Sequence, residues 1–122
     1  MARILVVDDE PIVRNLVRRT LERAGHEVAD AEDGEVALAA NREQSFDLVI
    51  ADLFMPVMDG LQLIVQLREE YPRIQVVAIS GSVYERKPRF LEIAGRMESV
   101  VTLAKPFSAE ELLAAVDEAI GQ

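Results

Sequence analysis

Three aspartates follow short aliphatic runs in this sequence. Asp8 and Asp9 come directly after residues 4–7, and Asp52 comes directly after residues 48–51. Carboxylates that share one crevice repel each other, and their pKa values rise unless a cation joins them. Mg2+ fits this need because it takes hard oxygen ligands and is usually held by one or two carboxylates. If these runs meet in the fold, the spacing predicts a crevice that binds Mg2+.

Two more polar residues follow later aliphatic runs. Ser80 comes after residues 76–79, and Lys105 comes shortly after residues 100–103. An ionised carboxylate beside a metal ion and a lysine can attack phosphorus and become an acyl phosphate. Asp52 is the candidate nucleophile, while the lysine, the hydroxyl and backbone N–H groups can neutralise the equatorial oxygens. These residue types predict phosphoryl transfer onto an aspartate.

The aliphatic runs alternate with amphipathic stretches along the whole chain, so each candidate residue has an element to position it. Strands are predicted at residues 4–7, 27–31, 48–51, 76–79 and 100–103. Helices are predicted from Pro11 to Gly25, after Asp33, at residues 60–70, within residues 84–97, and after a capping box of Ser108 and Glu111. Such alternation predicts an α/β fold with a five-stranded parallel sheet and helices on both faces. Ligands of such sheets bind beyond the carboxyl ends of the strands, where the candidate residues stand.

The composition narrows the classes of function. The chain has 122 residues and a net charge of −9, which predicts a single domain over residues 1–122. Such an acidic chain is poorly suited to direct binding of nucleic acid or of an anionic membrane. The lack of cysteine excludes disulfides, thiolate metal sites and thiol catalysis. No apolar run approaches the roughly 20 residues that span a bilayer, and the acidic start is unlike a signal peptide, so a cytoplasmic protein is expected.

Four segments together carry a resemblance to a known family. They are I-L-V-V-D-D-E-P at 4–11, D-L-V-I-A-D-L-F-M-P-V-M-D-G at 47–60, V-A-I-S-G at 77–81 and L-A-K-P-F at 103–107. In this order and spacing, the chain resembles the receiver domain of bacterial response regulators, the phosphoacceptor module of two-component signalling. The resemblance covers essentially the whole length and implies a flavodoxin-like fold with strand order 2-1-3-4-5.

The resemblance implies roles for the residues of the phosphoryl site. Asp52 would be phosphorylated, and Lys105 and the Ser80 hydroxyl would contact the phosphoryl group. The bond between Lys105 and Pro106 would be cis. Such a domain assists its own phosphorylation and dephosphorylation and is not a metabolic enzyme.

The resemblance also implies a metal site. Mg2+ would be the ion, with Mn2+ able to substitute. Asp9 would bind it directly, Asp8 largely through water, and Asp52 and the backbone carbonyl of Phe54 would complete the protein ligands.

The partners follow from the resemblance as well. The phosphoryl donor would be a phosphohistidine on a sensor histidine kinase or a histidine phosphotransfer protein. The signal would pass to a downstream protein target or an output domain, although no output domain is seen in these 122 residues. A homodimer is a further expectation, through the face of helix 4, strand 5 and helix 5 of the predicted order, which are the helix within residues 84–97, the strand at 100–103 and the helix after Ser108.

Departures from the family pattern leave the output mechanism open. Thr102 stands where many receivers have a tyrosine or phenylalanine that turns inward on activation, so phosphorylation is expected to reorder residues 81–97 instead. Phe54 excludes a phosphatase of the haloacid dehalogenase type, which needs a second aspartate at that position. Residues 8–11 lack the Ser/Thr/Gly-rich loop of a flavodoxin-like electron carrier. A non-phosphorylated docking or dimerisation module stays an alternative.

One histidine and a cluster of four arginines are interpreted as residues with no catalytic or ligand-binding role. His26, after Gly25, is predicted to be a surface residue. Four arginines on the first helix are predicted to form a solvated face; they are Arg14, Arg18, Arg19 and Arg23.

Overall fold

The fold is built on a parallel sheet in a computed structural model that describes residues 2–53, 60–80 and 100–121. The strands are β1 (Arg3–Val7), β2 (Glu27–Ala31), β3 (Leu48–Asp52), β4 (Gln75–Ser80) and β5 (Val100–Ala104). Every pairing is parallel, in the order β2-β1-β3-β4-β5. The predicted strand order is confirmed.

Four helices lie in the described part of the chain. They are α1 (Pro11–Arg23), α2 (Gly34–Glu43), α3 (Gly60–Glu70) and α4 (Ala109–Ala119). The helix predicted within residues 84–97 lies outside the described residues, as does the segment 81–97 that was expected to respond to phosphorylation. None of the helices in the described ranges is long and apolar enough to cross a membrane.

The helix starts follow the capping signals of the sequence. The Asp33 side chain accepts a hydrogen bond from the Val36 N–H at the start of α2. Ser108 and Glu111 exchange the two hydrogen bonds of a capping box at the start of α4. These side chains satisfy backbone donors that have no partner inside the helix.

Alternate residues of the central strands supply two cores, one on each face of the sheet, because successive strand side chains point to opposite faces. On one face α2 and α3 pack over a core that includes Leu5, Val7, Val49 and Ala51. On the other face α1 and α4 cover Ile4, Val6, Leu48 and Ile50. The central strands are buried on both sides, which fixes their position and hence the position of their ends.

Helix α1 differs in one respect from the apolar stripe in its sequence. Val17 and Leu21 are buried, whereas Ile12 is 83% exposed and Leu16 is 64% exposed. Apolar residues therefore occupy a wider arc of α1 than the part that packs on the sheet. Ile12 and Leu16 lie at helical spacing in the exposed part of that arc.

Candidate functional site

Two buried carboxylates lie at the carboxyl edge of the sheet. Asp52 is the last residue of β3 and is 3% exposed, and Asp8 directly follows β1 and is 2% exposed. Residues 7 and 51 are paired in the sheet, so the ends of these neighbouring strands lie side by side. This register brings Asp8 and Asp52 together at one edge of the sheet, as the sequence predicts.

Glu10 completes an acidic group that the sequence interpretation did not include. One carboxylate oxygen from each of Asp8, Glu10 and Asp52 lies within 4.8 Å of the others. The Glu10 N–H donates to Asp8 Oδ1 at 2.9 Å, which folds the loop after β1 back on itself. Aspartate side chains commonly accept a hydrogen bond from the backbone N–H two residues later, so Asp8 itself is the sequence signal for this turn. The signal for a third carboxylate in the pocket is the acidic residue at position 10.

Lys105 lies among the same three carboxylates. Its Nζ is 3.1 Å from Asp52 Oδ2, 3.5 Å from Glu10 Oε1 and 3.7 Å from Asp8 Oδ2. Burial acts to lower the pKa of Lys105, but the charges of Asp52, Asp8 and Glu10 and a hydrogen bond to Asp52 outweigh it, so the pKa is raised. The ammonium therefore remains charged at neutral pH.

The charges in the pocket favour a further cation. The pKa of Asp8 is raised, chiefly by burial and further by the charges of Asp9 and Glu10, against the lowering effect of the Glu10 N–H and of Lys105. A single lysine thus leaves Asp8 above its ordinary pKa. The donor set consists of carboxylate oxygens, which are the ligands that Mg2+ prefers. The residues present therefore fit this ion.

The other predicted site residues are placed less directly. Asp9 is exposed and does not belong to the group of three close carboxylates. Ser80 ends β4 beside Ala104 of β5 at the same edge, but its side chain is outside what the structure describes. Phe54 lies outside the described residues. The bond between Lys105 and Pro106 is cis, as expected.

Gly60 packs tightly against the backbone of the site. A Cβ atom built on Gly60 would lie 2.6 Å from the Leu53 Cα atom and 2.8 Å from the Asp52 carbonyl carbon. The Gly60 N–H also donates to the Leu53 carbonyl at 3.0 Å. Only glycine leaves room for α3 to begin directly behind the end of β3.

The predictions for the basic side chains need correction. His26 is partly buried rather than a free surface residue, because its Nδ1 accepts a hydrogen bond from the Ala2 N–H at 3.1 Å. The arginine face of α1 is not fully solvated either. Arg14 and Arg18 are partly buried and both approach Asp30 of β2, at 3.7 Å and 3.3 Å respectively.

A cavity of about 810 Å3 lies at the opposite edge of the sheet, away from the acidic pocket. Its lining includes Ala2, Asp47 and Ile74, which precede the strands β1, β3 and β4. It therefore takes no part in the chemistry at the carboxyl edge.

Known proteins resemble this chain in sequence and in fold. Residues 4–117 match the family model described as response regulator receiver domain. The transcriptional regulatory protein ResD of Bacillus subtilis is 39% identical over 113 residues, which are 91% of this chain and 45% of ResD. The chain thus spans about half the length of this relative. TcrX of Mycobacterium tuberculosis, a probable transcriptional regulatory protein, is 37% identical over 90% of this chain and 46% of its own length.

Solved structures with a similar fold indicate the same family. The chemotaxis protein CheY4 of Vibrio cholerae has a TM-score of 0.87 at 33% identity, covering 98% of each chain. The receiver domain of NtrX from Brucella abortus has a TM-score of 0.89 at 34% identity, again with 98% of each chain covered. Response regulators are signalling proteins that interact with sensor kinases and output domains. The order of elements, the acidic strand ends and the matching relatives together show that this chain belongs to the response regulator receiver domain family.

Proposed function

We propose that this receiver domain accepts a phosphoryl group on Asp52. The observation that supports this most directly is the 3.1 Å contact between Lys105 Nζ and Asp52 Oδ2 in a pocket shared with Asp8 and Glu10. A buried carboxylate at a strand end, next to a protonated lysine, can act as a nucleophile, and the lysine then neutralises charge on the phosphoryl group that is added.

The transfer needs no separate base, because the Asp52 carboxylate is the nucleophile in its ionised form. One of its oxygens forms a bond to phosphorus as the bond from phosphorus to the leaving group breaks. The electron pair of the broken bond stays with the leaving group, which is a histidine nitrogen of the partner or the acetate of acetyl phosphate. Lys105 moves with its charge from the carboxylate to the phosphoryl oxygens, and the Ser80 hydroxyl is proposed to donate to them.

The metal-binding part of the proposal uses residues around the same pocket. Asp8, Asp9, Asp52 and the Phe54 carbonyl would hold Mg2+ or, in its place, Mn2+. When bound, the ion supplies positive charge against the phosphoryl oxygens and relieves the repulsion between carboxylates. The raised pKa of Asp8 supports this part, because burial above all, and then the charges of Asp9 and Glu10, disfavour its ionised form, and a bound cation would offset that effect.

Intact-mass spectrometry tests the phosphorylation directly. With acetyl phosphate or phosphoramidate and Mg2+, the protein should gain the mass of one phosphoryl group. Asp52→Ala should abolish the gain, and EDTA should diminish it. Asp117→Asn is a matched control, because its exposed carboxylate lies on α4 away from the pocket.

Two results would overturn the proposal. An equal mass gain in Asp52→Ala would place the phosphoryl group elsewhere. No gain in the folded wild-type protein, under conditions that phosphorylate another receiver domain, would favour a docking or dimerisation module that does not use phosphorylation.

The wider role is proposed on the basis of the family. The donor would be a phosphohistidine of a sensor histidine kinase or a histidine phosphotransfer protein, in the cytoplasm, where response regulators generally act. The output would be a change in contacts with a protein target or an output domain, with the chain itself acting as one receiver domain. A second copy would dock through α4, β5 and the segment 81–99 that precedes β5, a segment that lies outside the described residues.

A further inference from the structure

Arg14 of α1 reaches the backbone of the acidic loop. Its Nη1 donates to the Asp8 carbonyl oxygen at 2.7 Å, and its side chain is only 19% exposed. A hydrogen bond from a guanidinium is charge-assisted and stronger than one between neutral groups. The helix is thereby tied to the peptide that follows β1.

The carbonyl that Arg14 holds belongs to the peptide between Asp8 and Asp9. Because a peptide unit is planar, the direction of this carbonyl fixes the N–H and the Cα atom of Asp9 as well. The rest of Asp8 is held independently, since its N–H donates to the Ala31 carbonyl at 3.2 Å and its Oδ1 accepts from the Glu10 N–H. The Arg14 contact is therefore made to the peptide unit that connects Asp8 to Asp9.

Arg14 is itself held in position by β2. Its Nε lies 3.7 Å from Asp30 Oδ2, and the same oxygen lies 3.3 Å from Arg18 Nη1. Arg18 is further paired with Glu22 at 3.2 Å. Asp30 is partly buried, with 31% of its side chain exposed, so its charge is shielded less than that of a free surface residue.

We infer that Arg14 is a positioning residue that sets the geometry of the Asp8 and Asp9 pair for metal binding. The inference rests on the proposed function, because it takes this pair to hold Mg2+. Arg14 does not touch the metal or the phosphoryl group. It acts through the peptide between the two acids, as outer groups around metal ligands commonly do.

Arg14→Met is the informative variant because methionine keeps much of the length and removes both the charge and the donors. Isothermal titration calorimetry with MgCl2, without any phosphodonor, should show a dissociation constant about tenfold higher than that of the wild type, the lower end of the range for lost outer contacts. The extent of phosphorylation at saturating Mg2+ should stay within about twofold of the wild type, because the nucleophile and Lys105 are intact. A general loss of folding would not separate these two readouts in this way.

Arg18→Met is the matched control. Arg18 is on the same helix and pairs with the same Asp30 oxygen, but within the described residues its contacts do not include Asp8. Its Mg2+ dissociation constant should remain within about twofold of the wild type. Arg14→Lys keeps the charge but cannot reproduce both contacts of the guanidinium, so an intermediate weakening of about threefold is expected.

An unchanged Mg2+ affinity in Arg14→Met, or an equal weakening in Arg18→Met, overturns the inference. If Arg14→Met does not fold, Arg14→Lys decides, and wild-type affinity in that variant overturns it. Since the calorimetry needs no phosphodonor, a wild type that binds Mg2+ but gains no phosphoryl group refutes the proposed function and leaves the role of Arg14 standing. A phosphorylated wild type whose Mg2+ affinity does not depend on Arg14 refutes only the inference.

Discussion

Lys105 stands against three carboxylates, those of Asp8, Glu10 and Asp52. Its contact with Asp52 is the shortest of the three, so the lysine is directed at the proposed nucleophile. Asp8 is left with a raised pKa although it also faces Lys105, because burial removes the water that would stabilise its charge. The pocket without metal therefore carries an electrostatic cost at neutral pH.

That cost predicts a pH-dependent effect of Asp8→Asn. A carboxyl group whose pKa is higher in the folded protein than in the unfolded chain binds its proton more tightly when folded, so ionisation lowers the free energy of unfolding as pH rises. Below about pH 4 both states are protonated and the effect disappears. Asp8→Asn should thus raise the free energy of unfolding by about 1 kcal/mol near pH 7, and the gain should shrink towards pH 4.

Urea unfolding between pH 4 and pH 7 in EDTA measures this difference. Asp117→Asn, with an exposed carboxylate, serves as the control and should change little across the same range. A loss of stability in Asp8→Asn at pH 7 would mean that the contact with Lys105 outweighs the burial of Asp8.

At the scale of elements, the end of β3 and the start of α3 are pressed together at Gly60. Asp52 keeps its place because α3 begins immediately behind it, with the Gly60 N–H bonded to the Leu53 carbonyl. In the sequence, Met58, Asp59 and Gly60 are typical of a turn that leads into a helix, which accounts for a glycine but not for its closeness to the site. The close packing of Gly60 against the backbone of Asp52 and Leu53 is a second reason why a glycine is needed at this position.

Gly60→Ala should therefore destabilise the protein by about 1 to 3 kcal/mol, as overpacking does elsewhere, and should slow phosphorylation by displacing Asp52. Thermal unfolding and the rate of mass gain with phosphoramidate measure the two effects. Gly25→Asn is the comparison, because Gly25 has a φ of 94° and open space around it, and asparagine tolerates that backbone conformation. If Gly60→Ala were no more destabilising than Gly25→Asn, the close approach at residue 60 would not be a real constraint.

Across the whole molecule, a net charge of −9 means that any added salt reduces repulsion. A specific Mg2+ site should add stability beyond that screening. By linkage, the gain should be about 2.7 kcal/mol when Mg2+ is at a hundredfold excess over its dissociation constant. The melting temperature in MgCl2 should exceed that in NaCl of the same ionic strength.

Variants of the two acids after Asp8 then identify the ligand. Asp9→Asn should lose most of the Mg2+-specific shift, whereas Glu10→Gln should keep most of it, because the Glu10 carboxylate already lies 3.5 Å from the Lys105 ammonium. The reverse result would assign the metal to the close group of Asp8, Glu10 and Asp52 rather than to the pair of aspartates.

The sequence alone determined the succession of the five strands along the chain, that of the helices in the described ranges, and the edge of the sheet at which Asp8, Asp52 and Lys105 lie. These properties follow from local patterns, namely aliphatic runs buried on both faces and capping residues at helix starts, and from the rule that parallel strands end at one edge. The four motif segments added the family, and with it the strand order.

Only the tertiary structure decided which side chains meet. Asp9 directly follows Asp8 and Glu10 comes one residue later, yet it is the exposed Glu10 whose carboxylate lies close to Asp8 and Asp52, because the turn at Asp8 bends the chain back towards the pocket. The carbonyl contact of Arg14 could not be read from spacing either, since it depends on the angle at which α1 leaves the sheet. Sequence patterns fix which residues share an edge, whereas distances between side chains also depend on loop conformation and on packing between elements that are far apart in the chain.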